Sequence, residues 1–164
     1  MKNITNPSLL EPESVWDYPR PPRVERSQLR LQVLFNGVLI AETRNAFRVL
    51  ETSHPPVYYL PPEDIRMEFL TTTRRTTFCE FKGAAGYYTI TVGERTERDA
   101  AWFYARPTPA FAAIAGYVAF YPSRMDACFV DGEQVAAQPG DYYGGWITKE
   151  IVGPFKGSAG TMGW

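Results

Sequence analysis

From Leu29 the chain mostly alternates: Leu29, Leu31, Val33 and Phe35 are apolar, with Arg30, Gln32 and Leu34 between them, a period of two broken only at Leu34 that predicts a strand. Asn36-Gly37 follows, the pair favoured in a two-residue hairpin turn because both positions accept positive φ, so Val38 to Thr43 is expected to be the returning strand. A third strand is predicted from about Ala46 to Glu51. Phe47 and Val49 share one of its faces, and regular alternation carries Glu51 onto that face as well. An unpaired buried carboxylate is costly, so Glu51 is either solvated beyond the strand end or part of a pocket wall.

The paired prolines of His54-Pro55-Pro56-Val57-Tyr58-Tyr59-Leu60-Pro61-Pro62 exclude a continuous helix. Pro62-Glu63-Asp64-Ile65 suits one helical turn, with proline first and acids near the positive end of the dipole. Strands are predicted at Phe78–Phe81 and Tyr87–Val92, separated by the loop Lys82–Gly86. Thr108 as cap, Pro109 as first residue and Gly116 as stop predict a helix from Pro109 to Ala115; it is apolar on every side and so expected to be buried. Strands follow at Tyr117–Tyr121 and Ala127–Val130, with Asp131-Gly132 as a second hairpin signal. The glycine- and aromatic-rich tail from Gly140 to Trp164 has no clear period. Residues 1–25, rich in proline and charge, are expected to form an extended arm anchored by Trp16 and Tyr18, and residues 26–164 a single β-rich domain. The expected fold class is mainly β, with antiparallel sheets and one short buried helix. Without regular strand–helix alternation a doubly wound parallel sheet is disfavoured.

Composition narrows the function classes. The chain has 164 residues, 45% hydrophobic and 15% aromatic, which is ample for one packed core. Its formal net charge of -1 gives no electrostatic reason to expect nucleic acid as a partner. No apolar run approaches the roughly 20 residues a membrane span needs, and the first residues lack the hydrophobic stretch of a secretory signal, so a cytoplasmic protein is expected. Cys79 and Cys128 are then expected to be free thiols. With one histidine besides, they cannot complete a four-ligand zinc site, and no metal or other cofactor is expected.

His54 is the only side chain with an unperturbed pKa near neutrality, and Glu51 lies close enough in sequence to orient it; a general acid–base role competes with a simple turn hydrogen bond. Cys79 could be a nucleophile with His54 as base, or a small buried thiol. Lys82 begins a glycine-containing string, Phe81-Lys82-Gly83-Ala84-Ala85-Gly86, that recurs as Phe155-Lys156-Gly157-Ser158-Ala159-Gly160. A lysine beside free backbone N–H groups suits an anion, although neither copy is a Walker loop. Arg20, Arg23, Arg26 and Arg30 are best accounted for as solubilising charge, and Trp102, Phe103 and Tyr104 as core or pocket wall.

Four strings then carry a resemblance: Glu51 to Tyr59, Cys79-Glu80-Phe81-Lys82-Gly83, Ala101-Trp102-Phe103-Tyr104, and Ala115 to Pro122. In this order they resemble the bacterial family called domain of unknown function 427, over about Leu29 to Val135. The resemblance implies a fold similar to the β-tent group, some of whose members bear zinc on cysteine pairs that this sequence lacks. A family label also hints at nucleotidyl transfer. Such enzymes usually carry Gly-Gly or Gly-Ser followed by paired acids; Gly144-Gly145 has no acidic pair after it, and Asp131-Gly132-Glu133 has the form of a hairpin turn.

The reading favoured by the sequence is a module binding a small molecule, an anion among the candidates, in an aromatic-walled pocket, with Tyr58, Lys82, Trp102 and Tyr104 as ligand-binding candidates and Glu51 and His54 beside them. An enzyme using His54, Glu51 and Cys79 (or Lys82) is the second reading. A protein-interaction domain using the arm and tail is the third, and a homodimer is compatible with all three.

Overall fold

The computed structural model describes residues 10–140 and 142–164, so residues 1–9 of the expected arm lie outside it. Fifteen strands follow one another: β1 (Glu13–Ser14), β2 (Arg23–Ser27), β3 (Leu31–Phe35), β4 (Val38–Thr43), β5 (Ala46–Leu50), β6 (Val57–Tyr59), β7 (Leu70–Cys79) and β8 (Gly83–Val92). Then come β9 (Arg95–Phe103), β10 (Val118–Phe120), β11 (Ala127–Val130), β12 (Glu133–Gln134), β13 (Ala136–Ala137), β14 (Trp146–Ile147) and β15 (Ile151–Val152). The protein is mostly β, its larger sheets are antiparallel, and none closes into a barrel.

The first hairpin forms as the alternation requires. Leu31, Val33 and Phe35 are fully buried, and Asn36 and Gly37, at φ 48° and 76°, make the tight turn into β4. Asp131 and Gly132 do the same between β11 and β12, at φ 47° and 84°. β3, β4, β11 and β12 make one four-stranded sheet.

Two further sheets, β2-β5-β6 and β10-β9-β8-β7, are joined edge to edge by one bridge. Leu60 N–H donates to Val118 C=O at 2.8 Å and Val118 N–H to Leu60 C=O at 2.9 Å. The strands flanking that bridge separate two cores by parity, because successive side chains leave opposite faces. Tyr58, Leu60, Ala101, Val118 and Phe120 enter the main core with β3 and Trp146. Val57, Tyr59, Trp102, Ala119 and Tyr121 enter a second, aromatic cluster on the other face.

Several expectations need adjustment. The Pro109–Ile114 segment is a 3₁₀ helix kinked at Phe111, and only Phe111 and Ile114 are buried. Those residues are three apart, and in a 3₁₀ helix such positions eclipse, leaving Ala110, Ala112 and Ala113 in solvent. Thr108 takes the N-cap position, but its hydroxyl caps no N–H and donates instead to Phe81 C=O at 2.6 Å. The expected loop Lys82–Gly86 is mostly strand, since β8 begins at Gly83. Gly86 is glycine because the Phe103 ring packs over it: an added Cβ would lie 2.6 Å from Phe103 Cζ. The described part of the expected arm is woven into the fold. β1 pairs with β15, Val15 is fully buried, and β2 crosses residue 25 to pair along all of β5. Trp16 Nε1–H donates to Pro154 C=O at 2.9 Å, and Tyr18 O–H to Glu13 Oε1 at 2.7 Å, so both aromatics do anchor this segment.

Cys79 and Cys128 are both free, Cys128 fully buried. Among the described residues no helix is long and apolar enough to cross a membrane.

Candidate functional site

The aromatic face of the joined sheets opens onto a cavity of about 250 Å³. Val49 of β5 and Thr77 and Cys79 of β7 all line it, although β5 and β7 lie far apart in strand order, so the joined sheets curl around the space. Tyr59, Trp102 and Tyr104 form its inner wall. Trp102 Nε1–H donates to the Tyr59 hydroxyl at 3.2 Å, and the Trp102 and Tyr121 rings lie 4.6 Å apart. Burial pushes the phenols of Tyr59, Tyr104 and Tyr121 well above the usual tyrosine value, so all three are neutral.

Glu51, His54, Cys79, Lys82, Trp102 and Tyr104 all line this cavity. Tyr58 does not. It lies on the opposite face of β6, buried against Trp146 at 5.2 Å and cross-strand from Arg48. Burial raises its pKa to about 12. The pocket tyrosine is its neighbour Tyr59, because the alternation that points Val57 inward also points residue 59 inward.

Glu51 follows the last residue of β5 yet keeps the phase of Val49, and both line the cavity. Its carboxylate accepts from Arg20 Nε at 3.2 Å. Arg20 also donates to Thr52 C=O at 2.8 Å and Trp164 C=O at 3.0 Å, tying three segments behind the pocket.

The C-terminal segment adds Gln138 and Tyr143, which the pattern did not reveal, and brings in Lys156 of the repeated string. The Gln138 side-chain oxygen accepts from Gly145 N–H at 3.1 Å, and its amide nitrogen donates to Lys156 C=O at 2.8 Å. Those backbone partners fix which end of the amide is which. The same nitrogen lies 3.0 Å from His54 Nδ1, which must therefore accept, so the neutral imidazole carries its proton on Nε2. His54 is held further by the Tyr143 ring, whose centroid is 4.6 Å away. Burial, then the charges of Lys156, Arg20 and Lys82, lower the His54 pKa to about 4. At neutral pH it is an uncharged N–H donor.

Lys82 is 9% exposed, with its ammonium 5.9 Å from the Tyr104 ring centroid and 5.7 Å from that of Phe111. Lys156 lies 5.6 Å over the Tyr143 ring. Among the described residues neither ammonium has a carboxylate within ion-pairing distance. The two copies of Phe-Lys-Gly thus place both lysines on one cavity.

Gly144 and Gly145 have packing reasons to be glycine. A Cβ on Gly144 would lie 2.7 Å from Trp102 Cζ3, and one on Gly145 2.5 Å from Pro55 Cγ. Replacing Gly144 with alanine is expected to destabilise the fold by about 1–3 kcal/mol, the usual cost of overpacking, and to shift tryptophan emission. An unchanged urea midpoint and spectrum would show that Trp102 is free to move aside. Asp131 accepts from Arg30 N–H at 2.8 Å, and Glu133 from Lys149 N–H at 2.8 Å. Among the described residues no group of three His, Cys, Asp or Glu side chains is placed to share a metal ion.

What the fold and site define is a β-rich domain with an aromatic pocket carrying two lysines and a neutral imidazole. The chain belongs to the family described as Domain of unknown function (DUF427), whose model matches residues 23–131. No curated protein matches it at a significant level. The matched stretch supplies Glu51, His54, Cys79, Lys82 and Trp102, whereas Gln138, Tyr143 and Lys156 come from the segment after it.

Proposed function

We propose that this domain binds a small anionic molecule with an aromatic or apolar body. The observation that carries this reading is the convergence of Lys82 and Lys156 on one aromatic-walled cavity beside the Nε2–H of His54. Ammonium groups and an N–H donor suit a phosphate or carboxylate, whose charged hydrogen bonds are about twice as strong as neutral ones. The phenol and indole surfaces suit a flat apolar body.

The geometry does not support His54 as a general base. Its Nδ1 lone pair is occupied by Gln138, its Nε2 carries the proton, and Glu51 stands 4.0 Å from Nε2, beyond hydrogen-bond length. Cys79 shares the cavity with His54, but no hydrogen bond joins them among the described residues.

Phenyl phosphate is a suitable probe, titrated by calorimetry at low ionic strength. Lys82→Met is expected to weaken its binding about tenfold, the loss of one charged hydrogen bond, and to leave binding of neutral benzyl alcohol unchanged. Phenyl phosphate should also slow alkylation of Cys79, which lines the cavity, while sealed Cys128 stays unreactive. Equal affinities in the two proteins, or an unprotected Cys79, would overturn the proposal.

A further inference from the structure

The wall formed by Tyr143 and Lys156 has a second side. A neighbouring cavity of about 330 Å³ is bounded by Tyr142, Tyr143, Lys156, Gly157, Thr161 and Met162. Three of these residues, Tyr142, Tyr143 and Lys156, also line the first cavity. Lys156 is therefore placed between two chambers, its ammonium over the ring that divides them.

The chambers differ in lining. The first presents Trp102, Tyr59 and Tyr104 together with Lys82 and His54. The second has Lys156 as its one ionisable cation, and its outer boundary is Met162, 84% exposed, with Tyr142, 58% exposed. A thioether and a phenol left in water at the rim of a concave surface cost apolar exposure that an occupant would relieve. Taken alone, the chambers fall near the lower end of the roughly 300–1,000 Å³ found for small-molecule sites; taken together they fall inside it.

Resting on the anion-binding reading above, we infer that the two chambers form one bipartite site for a ligand whose anionic group is internal. Lys156 meets the charge, and an apolar or aromatic substituent extends from it into each chamber. The class this fits is a phosphodiester, a monoanion with two organic arms. A terminal phosphate or carboxylate would fill the first chamber and leave the second to solvent. The inference rests on adjacency, since Tyr142, Tyr143 and Lys156 line both chambers.

Two monoanionic diesters differing by a single ring test this: methyl phenyl phosphate and diphenyl phosphate, titrated into the full chain. Diphenyl phosphate is expected to bind about tenfold more tightly, the return from burying about 55 Å² of the further ring, roughly half of it, at ~25 cal/mol per Å². In protein carrying ¹³C-methyl methionine, diphenyl phosphate should shift the Met162 signal and methyl phenyl phosphate should not. Met67 and Met125 belong to the main core and should not move with either. Met162→Ala, at an exposed position, should fold normally and lose most of the diphenyl advantage. Equal affinities of the two diesters with a still Met162 signal would overturn the bipartite site while leaving the anion pocket intact. A variant that keeps the whole advantage would place the second ring elsewhere and overturn it equally. If neither diester nor phenyl phosphate binds at millimolar concentration, both readings fall together.

Discussion

Replacing Arg48 with alanine is expected to cost the fold about 3 kcal/mol. Arg48 projects from β5 and holds both oxygens of Glu13 at 2.9 Å. Its Nε donates to Glu25 at 2.8 Å. Its side chain is 17% exposed, and Tyr58 lies across the strand pair. Removing one partner from such a cluster leaves the other charges desolvated, which usually costs 3–5 kcal/mol. The lower figure applies because the Glu13 and Glu25 side chains keep 34% and 35% of their exposure. Burial alone would raise the Glu13 pKa, yet hydrogen bonds from Arg48 and Tyr18 hold its carboxyl below the usual range. The cluster thus binds β1, β2 and β5 together through ionised groups. Arg48→Lys, which cannot make the two-pronged contact, should fall between wild type and alanine. Urea unfolding would measure the series; a loss under about 1 kcal/mol for alanine would reduce the cluster to an ordinary surface pair.

Acid should destabilise the protein through His54. Its pKa is 6.5 in an unfolded chain and about 4 in the fold, so between those values the unfolded state binds a proton that the folded state does not. Stability therefore rises with pH across this window and levels off above about 6.5. The stabilisation is fully present at neutral pH and is lost as pH falls toward 4. At 1.36 kcal/mol per pKa unit, the loss between pH 7 and 4.5 is on the order of 2–3 kcal/mol. Carboxylates titrate in the same window, so the informative quantity is the difference between wild type and His54→Gln. That difference should shrink by this amount on acidification. Parallel stability curves would mean that His54 titrates alike in both states.

The parts of this fold that were legible in the sequence are those fixed by local chemistry. Asn36-Gly37 and Asp131-Gly132 required positive φ, and β3 buried alternate residues, so both hairpins could be placed directly. β7 could not. It is the edge strand of its sheet, and Thr71, Thr72, Arg74, Arg75 and Thr76 are all exposed, which removes any alternation from the pattern. The glycines around Lys82 looked like a loop because the ring that excludes a Cβ from Gly86 lies 17 positions later, at Phe103. Within the site, Glu51, His54, Lys82, Trp102 and Tyr104 stood out by residue type and neighbourhood. Of the Tyr58–Tyr59 pair, Tyr59 lines the cavity and Tyr58 the main core, and only strand phase separates them. Gln138 and Tyr143 offered no signal, since they act through His54, 84 positions away in the case of Gln138. Lys156 left one trace, the repeated Phe-Lys-Gly string.

The Leu60–Val118 bridge makes one continuous surface from two sheets, with neighbouring residues on opposite sides of it. Sequence change along β6 and β10 is thereby divided into two independent channels. Of the odd positions, 57, 59 and 121 line the cavity, so change there alters its walls. Even positions at 58, 60, 118 and 120 are answerable to the shared core, where a methylene lost or gained is felt as stability. Neighbouring residues in the chain thus answer to different surroundings, one to the cavity face and the next to the main core.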